Sequence, residues 1–139
     1  MILTINNKDY DLYFGFDFID YVNNASGLAF QGVQLGIAGT KLLMTGIGDK
    51  SPSAFRTMVK AATNTLKSKP SNDELENYII ELIEGEKYDE VFDDFLMELG
   101  KHSLILKEMG ITRKQWNEAL EVDRKERAKA ETMTETETN

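Results

Sequence analysis

Apolar residues recur at helical spacing along two adjacent stretches in the second half of the chain. One stretch ends before Gly85 and the other before Gly100. Their apolar positions are Leu75, Tyr78, Ile79, Leu82 and Ile83, followed by Tyr88, Val91, Phe92, Phe95, Leu96 and Leu99. Steps of three and four residues place each set on one helix face, so the pattern predicts two amphipathic helices.

Residues that favour helix starts precede several of the apolar stretches. Ser51 is followed by proline, and Ser71 with Glu74 has the spacing of a capping box. Thr112 and Gln115 repeat that spacing. The sequence therefore predicts helices that begin near residues 51, 71, 88, 104 and 112, the first running to about residue 66.

The N-terminal stretch predicts a hairpin followed by a helix. Residues 2–5 are apolar and β-prone, residues 6–9 are typical of a turn, and residues 10–14 return with apolar side chains on one face. A helix follows Gly15. Because an isolated hairpin is marginal in water, we expect it to pack on the helices.

The middle and the end of the chain differ in composition. Residues 28–48 are apolar and glycine-rich, and they predict a connector or short extended piece over 33–35 and a short buried helix over 37–45. After Asp123 the apolar stripe stops and charges alternate in sign, as they do on a solvated helix extension.

A length of 139 residues suits one domain with a hydrophobic core. The last residues, 131–139, are low in complexity and polar, so we expect a disordered tail there. The sequence thus predicts a mainly α-helical, multi-helix single domain over residues 1–130, with a short N-terminal β-hairpin.

Charge and cysteine content narrow the range of partners. The net charge is −8, and an acidic surface repels phosphate and anionic lipid, so neither nucleic acid nor a membrane is an expected partner. No apolar run is long enough to span a bilayer, and no secretion signal is visible at the N-terminus. With no cysteine, we expect a cytoplasmic protein without disulfides.

Three features resemble chemical sites, but each has a simpler structural interpretation. The glycine-rich segment 46–51 lacks the adjacent Gly-Lys of a phosphate-binding loop because Asp49 intervenes, which favours a helix terminator. His102 has no partner at a fixed spacing. The acidic residues opposite the second stripe are interpreted as solvated carboxylates: Asp89, Glu90, Asp93 and Asp94. We therefore predict no catalytic residue, cofactor or metal; a rival nucleotide-binding enzyme would need segment 46–51 to bind phosphate.

The second apolar stripe and the stretch after residue 112 have two interpretations. Their large side chains are either core residues, as we expect for Phe95 in mid-stripe and for Trp116 as a packing anchor, or an exposed binding surface. The residues assigned to partner binding on the second interpretation are Phe92, Phe95, Leu99, Trp116 and Leu120.

The order of these pieces resembles a known family. The matching segments are residues 5–19, 32–36, 55–63, 70–79 and 92–99. Together they are similar to the tail assembly chaperones of long-tailed bacteriophages, especially phages and prophages of Gram-positive bacteria. The likeness extends to about residue 106, and the region after residue 111 has no family signature.

The resemblance implies a non-enzymatic protein of the host cytoplasm that is absent from the mature virion. Such a protein binds the tape measure protein, keeps it soluble and helps the tail tube protein assemble around it. It is mostly helical and self-associates. The alternative is an acidic helical interaction module or regulator that covers a basic surface on another protein, with residues 73–98 as its working face.

Charge is unevenly distributed along the chain. Residues 73–98 contain eleven acidic residues against the single Lys87, whereas residues 41–69 contain six basic residues against the single Asp49. Two solvated helix faces of different sign would explain this pattern, and so would head-to-tail association between copies. Different patches of opposite sign favour a ring or a spiral.

We predict that the protein forms a homo-oligomer whose assembly weakens as salt rises. Exposed ion pairs contribute only about 0–1 kcal/mol each, so apolar anchors, with Trp116 and Leu120 as candidates, must contribute too. Salt approaching molar concentration shortens the screening length to roughly 3 Å. Analytical ultracentrifugation across salt concentrations measures the effect. A monomer under all conditions would contradict the prediction, and a salt-insensitive oligomer would exclude charge as its cause.

Overall fold

Short antiparallel strand pairs and seven helices make up the part of the chain that the structure describes. The structure is a computed structural model that describes residues 1–26, 29–30, 33–34 and 39–138. The elements are β1 (Ile2–Ile5), β2 (Lys8–Asp11), α1 (Phe16–Ser26), β3 (Ala29–Phe30), β4 (Val33–Gln34), α2 (Gly39–Gly48), α3 (Pro52–Ala62), α4 (Asn72–Glu84), α5 (Tyr88–Leu99), α6 (Ser103–Met109) and α7 (Arg113–Thr138). The mainly helical class with an N-terminal hairpin is confirmed.

The hairpin turns within two residues. Asn6 and Asn7 have φ values of 53° and 63°, the left-handed conformation that a tight two-residue turn requires and that asparagine tolerates. Ile5 therefore pairs directly with Lys8. The turn was predicted over 6–9 and the return strand over 10–14, and both bounds were wrong. Because the turn takes only two residues, β2 already begins at Lys8, and it ends at Asp11.

Three predicted helix starts are confirmed by their caps. The Ser51 hydroxyl accepts from the Ala54 N–H at 3.3 Å. Ser71 and Glu74 form the reciprocal capping box at the start of α4. At the start of α7, the Thr112 N–H donates to the Gln115 side chain at 3.0 Å and the Gln115 N–H donates to the Thr112 hydroxyl at 3.1 Å.

Helix α2 is capped by a residue distant in sequence. The buried Asn23 side chain of α1 accepts hydrogen bonds from the Gly39 and Thr40 N–H groups at 2.7 and 3.2 Å. A Cβ at position 39 would lie 2.3 Å from the Val22 carbonyl oxygen, so this approach requires glycine. The helix predicted over 37–45 thus starts at Gly39 and continues to Gly48, while Ile37 and Ala38 lie outside the described residues.

Two other boundaries differ from the prediction. Helix α3 ends at Ala62 rather than near residue 66. Thr63 is its C-cap residue, and the Thr63 hydroxyl donates to the Val59 carbonyl oxygen at 2.8 Å. Helix α7 extends to Thr138, through residues where composition predicted disorder. A single domain over 1–130 and a disordered tail in solution stay predictions.

Aromatic rings fill the centre of the core. Phe55, Phe92 and Phe95 have no exposed surface, and the Phe55 ring lies 5.6 and 5.8 Å from the other two. Phe14, after the hairpin, lies edge-on to Phe95 at 5.5 Å. The hairpin is thereby packed on α5, and its exit is fixed by a hydrogen bond from the Tyr13 N–H to the Ala62 carbonyl oxygen at 2.9 Å. No helix among the described residues combines the length and apolarity needed to cross a membrane.

We predict that Phe95→Ala lowers the free energy of unfolding by about 3–5 kcal/mol, since the ring is fully buried and its loss leaves a cavity. Urea denaturation measures the change. Asp94→Ala is the matched control on the exposed neighbouring position, where we expect an effect within about 0.5 kcal/mol. Equal stability of the two variants would show that the ring does not contribute to the core.

Candidate functional site

The residues assigned to partner binding lie at different depths. Phe92, Phe95 and Leu99 have no exposed surface, so a partner would reach them only if α5 were uncovered. Trp116 is 4% exposed, and Leu120 is half-buried against the core. The core interpretation is therefore confirmed for Phe95 and Trp116. Only Trp116 and Leu120 of the five border an open groove.

This groove lies between the end of α2 and the first half of α7. It has a volume of about 540 Å³. The apolar residues lining it are Ile47, Leu96, Trp116, Ala119, Leu120 and Val122. Val122 is 56% exposed and lies in the groove with these other apolar residues, so its exposure is part of a contiguous patch. The groove is thus an open apolar surface whose base is formed by buried residues, as is typical of a protein-binding site.

Trp116 fixes α7 to α5 at the floor of the groove. Its indole Nε1–H donates to the Leu96 carbonyl oxygen at 2.9 Å. A Cβ at position 100 would lie 2.4 Å from the Trp116 Cδ1 atom, so only glycine lets the indole approach this closely. Gly100, predicted as a helix terminator, therefore also makes room for the tryptophan.

Arg113 adds a second anchor at the start of α7. Its guanidinium donates to the carbonyl oxygens of Gly100 at 3.3 Å and Lys101 at 3.1 Å, and to the Ser103 hydroxyl at 3.0 Å. A cation at this position also interacts favourably with the negative end of the α5 dipole. The first turn of α7 is thereby held to the end of α5.

A buried carboxylate provides the third anchor. Asp93 is 3% exposed and accepts from the Lys50 Nζ at 2.7 Å and from the Arg127 guanidinium. Lys50 also donates to Asp123 at 2.7 Å, and the Arg127 Nε lies 3.8 Å from Asp123. The interpretation of Asp93 as solvated was wrong, because α7 covers its side of α5; Asp89, Glu90 and Asp94 are exposed as expected.

Lys50 is held in place by its backbone as well as its charge. Its φ of 52° turns the chain between α2 and α3, and the Tyr88 hydroxyl donates to its carbonyl oxygen at 2.7 Å. Burial, with a smaller effect of the Asp89 charge, raises the pKa of Tyr88 to about 12, which keeps this donor protonated. Segment 46–51 thus contains the end of α2, which lies at Gly48 rather than before residue 46, and its lysine binds carboxylates.

The charge state of Lys50 follows from opposing effects. Burial by itself lowers the pKa of the ammonium, but hydrogen bonds and charge interactions with Asp123 and Asp93 outweigh it and leave the pKa above 10.5. Because the folded-state pKa is raised, this stabilisation is fully present below pH 10.5 and is lost as pH rises through the folded-state pKa. Lys50 is therefore a cation at neutral pH.

His102 has a structural environment. It precedes α6, and its ring stacks on Phe14 with centroids 4.8 Å apart. Its Nε2 lies 3.8 Å from a Glu98 carboxylate oxygen. The ring therefore packs between the hairpin exit and the end of α5, in agreement with the structural interpretation of the sequence.

A match to a protein-family model identifies the family of this chain. Residues 2–112 match the family model described as phage tail assembly chaperone protein, TAC. The chain belongs to this family. A search of curated proteins and a search of solved structures each find no match. Membership assigns the protein to phage tail assembly.

The matched region of the chaperone ends one residue before α7 begins. Ile47 and Leu96, on one side of the groove, lie inside the family region, whereas the α7 residues on the other side lie outside it. The sequence after residue 111 likewise carries no family signature. The groove of this chaperone is thus formed where the family region meets a further helix.

We predict that Asp93→Asn lowers the free energy of unfolding by about 3 kcal/mol, because Lys50 and Arg127 lose the buried carboxylate that they share. The value is at the lower end for a broken buried pair, since Lys50 retains Asp123. Urea denaturation measures stability, and hydrogen exchange should show faster opening of α7.

The matched control is Asp94→Asn, which removes the same charge at the exposed neighbouring position. We expect a change within about 0.5 kcal/mol for this variant. If Asp93→Asn lowers the free energy of unfolding no more than Asp94→Asn does, the ion network does not hold α7 to residues 2–112.

Proposed function

We propose that this tail assembly chaperone binds the tape measure protein, keeps it soluble and promotes assembly of the tail tube protein around it. The observation that carries the proposal is the family match over residues 2–112. The open apolar groove supports it, because a long helical client with an exposed apolar seam aggregates unless a partner covers that seam. The acidic surface of the chaperone would keep the complex soluble.

The proposed activity is binding without catalysis or a cofactor. The two features that came nearest to catalytic motifs have structural partners, Lys50 in two ion pairs and His102 against Phe14. The proposed place of action is the host cytoplasm, before the mature virion forms.

Self-association is a further part of the proposal. The basic segment 41–69 and the acidic segment 73–98 are joined within one molecule by the ion pair between Lys50 and Asp93. Exposed residues of both signs remain, with Lys41, Arg56, Lys67 and Lys69 on the basic side. These residues are free to pair with the exposed carboxylates of α4 and α5 in another copy.

We predict that co-expression with the tape measure protein of the same phage moves that client from the insoluble to the soluble fraction. The two proteins should elute together from an affinity column. An unrelated acidic helical protein at equal expression is the control, since net charge alone should not have this effect. If the client stays insoluble and the chain instead retains basic proteins, the alternative of an acidic regulator is favoured.

A further inference from the structure

The groove is about as long as a short helix. The α7 residues that line it span positions 115–126, and Gln115, Ala119, Val122 and Glu126 among them follow one another at steps of four, three and four residues, which places them on one face of the helix. At 1.5 Å per residue this face is about 16 Å long, or three helical turns. Its apolar centre is formed by Ala119 and Val122, with Trp116 at one end and Ile47 across the groove.

The rim of the groove carries uncompensated negative charge. Glu118 and Glu126 are exposed, and neither has an ion-pair partner among the described residues. The cation at the rim, Lys50, is bound by two carboxylates, and Asp123 is bound by Lys50. The charge that a bound partner meets at the rim is therefore acidic.

We propose that the groove binds an amphipathic helix of about three turns whose apolar stripe is flanked by lysine or arginine. The inference rests on the proposed function, because it identifies this helix as a segment of the client. The apolar stripe of the bound helix would cover Ala119 and Val122, and the lysine or arginine side chains on either side of that stripe would lie beside Glu118 and Glu126. An acidic helix would meet like charge at both ends of the groove.

The test uses two synthetic helical peptides of about 18 residues, enough for three bound turns and frayed ends. Both carry the same leucine stripe and no tryptophan; one has lysine on its flanking positions and the other glutamate. Trp116 is the single tryptophan of the chain and lies at the groove floor, so its fluorescence reports binding directly.

We expect the lysine peptide to bind about tenfold more tightly than the glutamate peptide at low salt, since each rim carboxylate contributes a weak, screened interaction. The double variant Glu118→Lys/Glu126→Lys should reverse this preference. Val122→Asp should weaken binding of both peptides by placing a charge in the apolar centre. Glu81→Lys/Glu84→Lys makes the same net-charge change on exposed positions of α4 and should leave the preference unchanged.

Three results with the peptides would overturn the inference. They are equal binding of both peptides, an unchanged preference in the Glu118/Glu126 variant, and the same reversal in the α4 control. A Trp116 signal that depends on chaperone concentration without peptide, and that Val122→Asp abolishes, would show a second copy in the groove and would also overturn it.

The same variants separate this inference from the proposed function. If Val122→Asp loses the lysine peptide but keeps the tape measure protein soluble, the groove is not the client site and the inference fails while the chaperone function stands. If the wild-type chain prefers the lysine peptide but does not keep the tape measure protein soluble, the groove specificity is supported and the proposed function fails.

Discussion

The buried carboxylate of Asp93 determines how the last helix lies on the rest of the molecule. A buried anion is costly unless cations are placed beside it, and here they come from opposite directions in sequence. Lys50 comes from the connection between α2 and α3, and Arg127 comes from α7. The side of α5 that carries Asp93 can therefore be buried only when the connection and α7 are both in place.

The groove follows from this way of attaching α7. The helix is held by polar contacts of Arg113, Trp116 and the Asp93 network, and by the apolar packing of the Trp116 ring in the core. These contacts use one edge of α7 and leave the edge with Ala119 and Val122 uncovered. The open apolar surface of α7 therefore lies beside the edge that the anchors hold.

Much of the fold was predictable because its signals are local. The capping boxes at Ser71 and Thr112 act over three residues, and the stripe of α5 repeats within a helical turn. The family resemblance was carried by such local pieces in order, and the family match covers the same region. The start of α2 could not be predicted in this way, because its first amides are capped by Asn23, which is distant in sequence.

The sequence by itself determined the helical class, the helix starts at Ser51, Ser71 and Thr112, and the apolar stripe that contains Phe95, since each depends on neighbours within one or two turns. Tertiary structure alone decided that Asp93 is buried while Asp94 is exposed, although both follow the same stripe. The partners of Asp93 are 43 and 34 residues away, beyond the reach of any periodic pattern. The groove has the same origin, because its two sides meet only when α7 folds back over α5 to neutralise that charge.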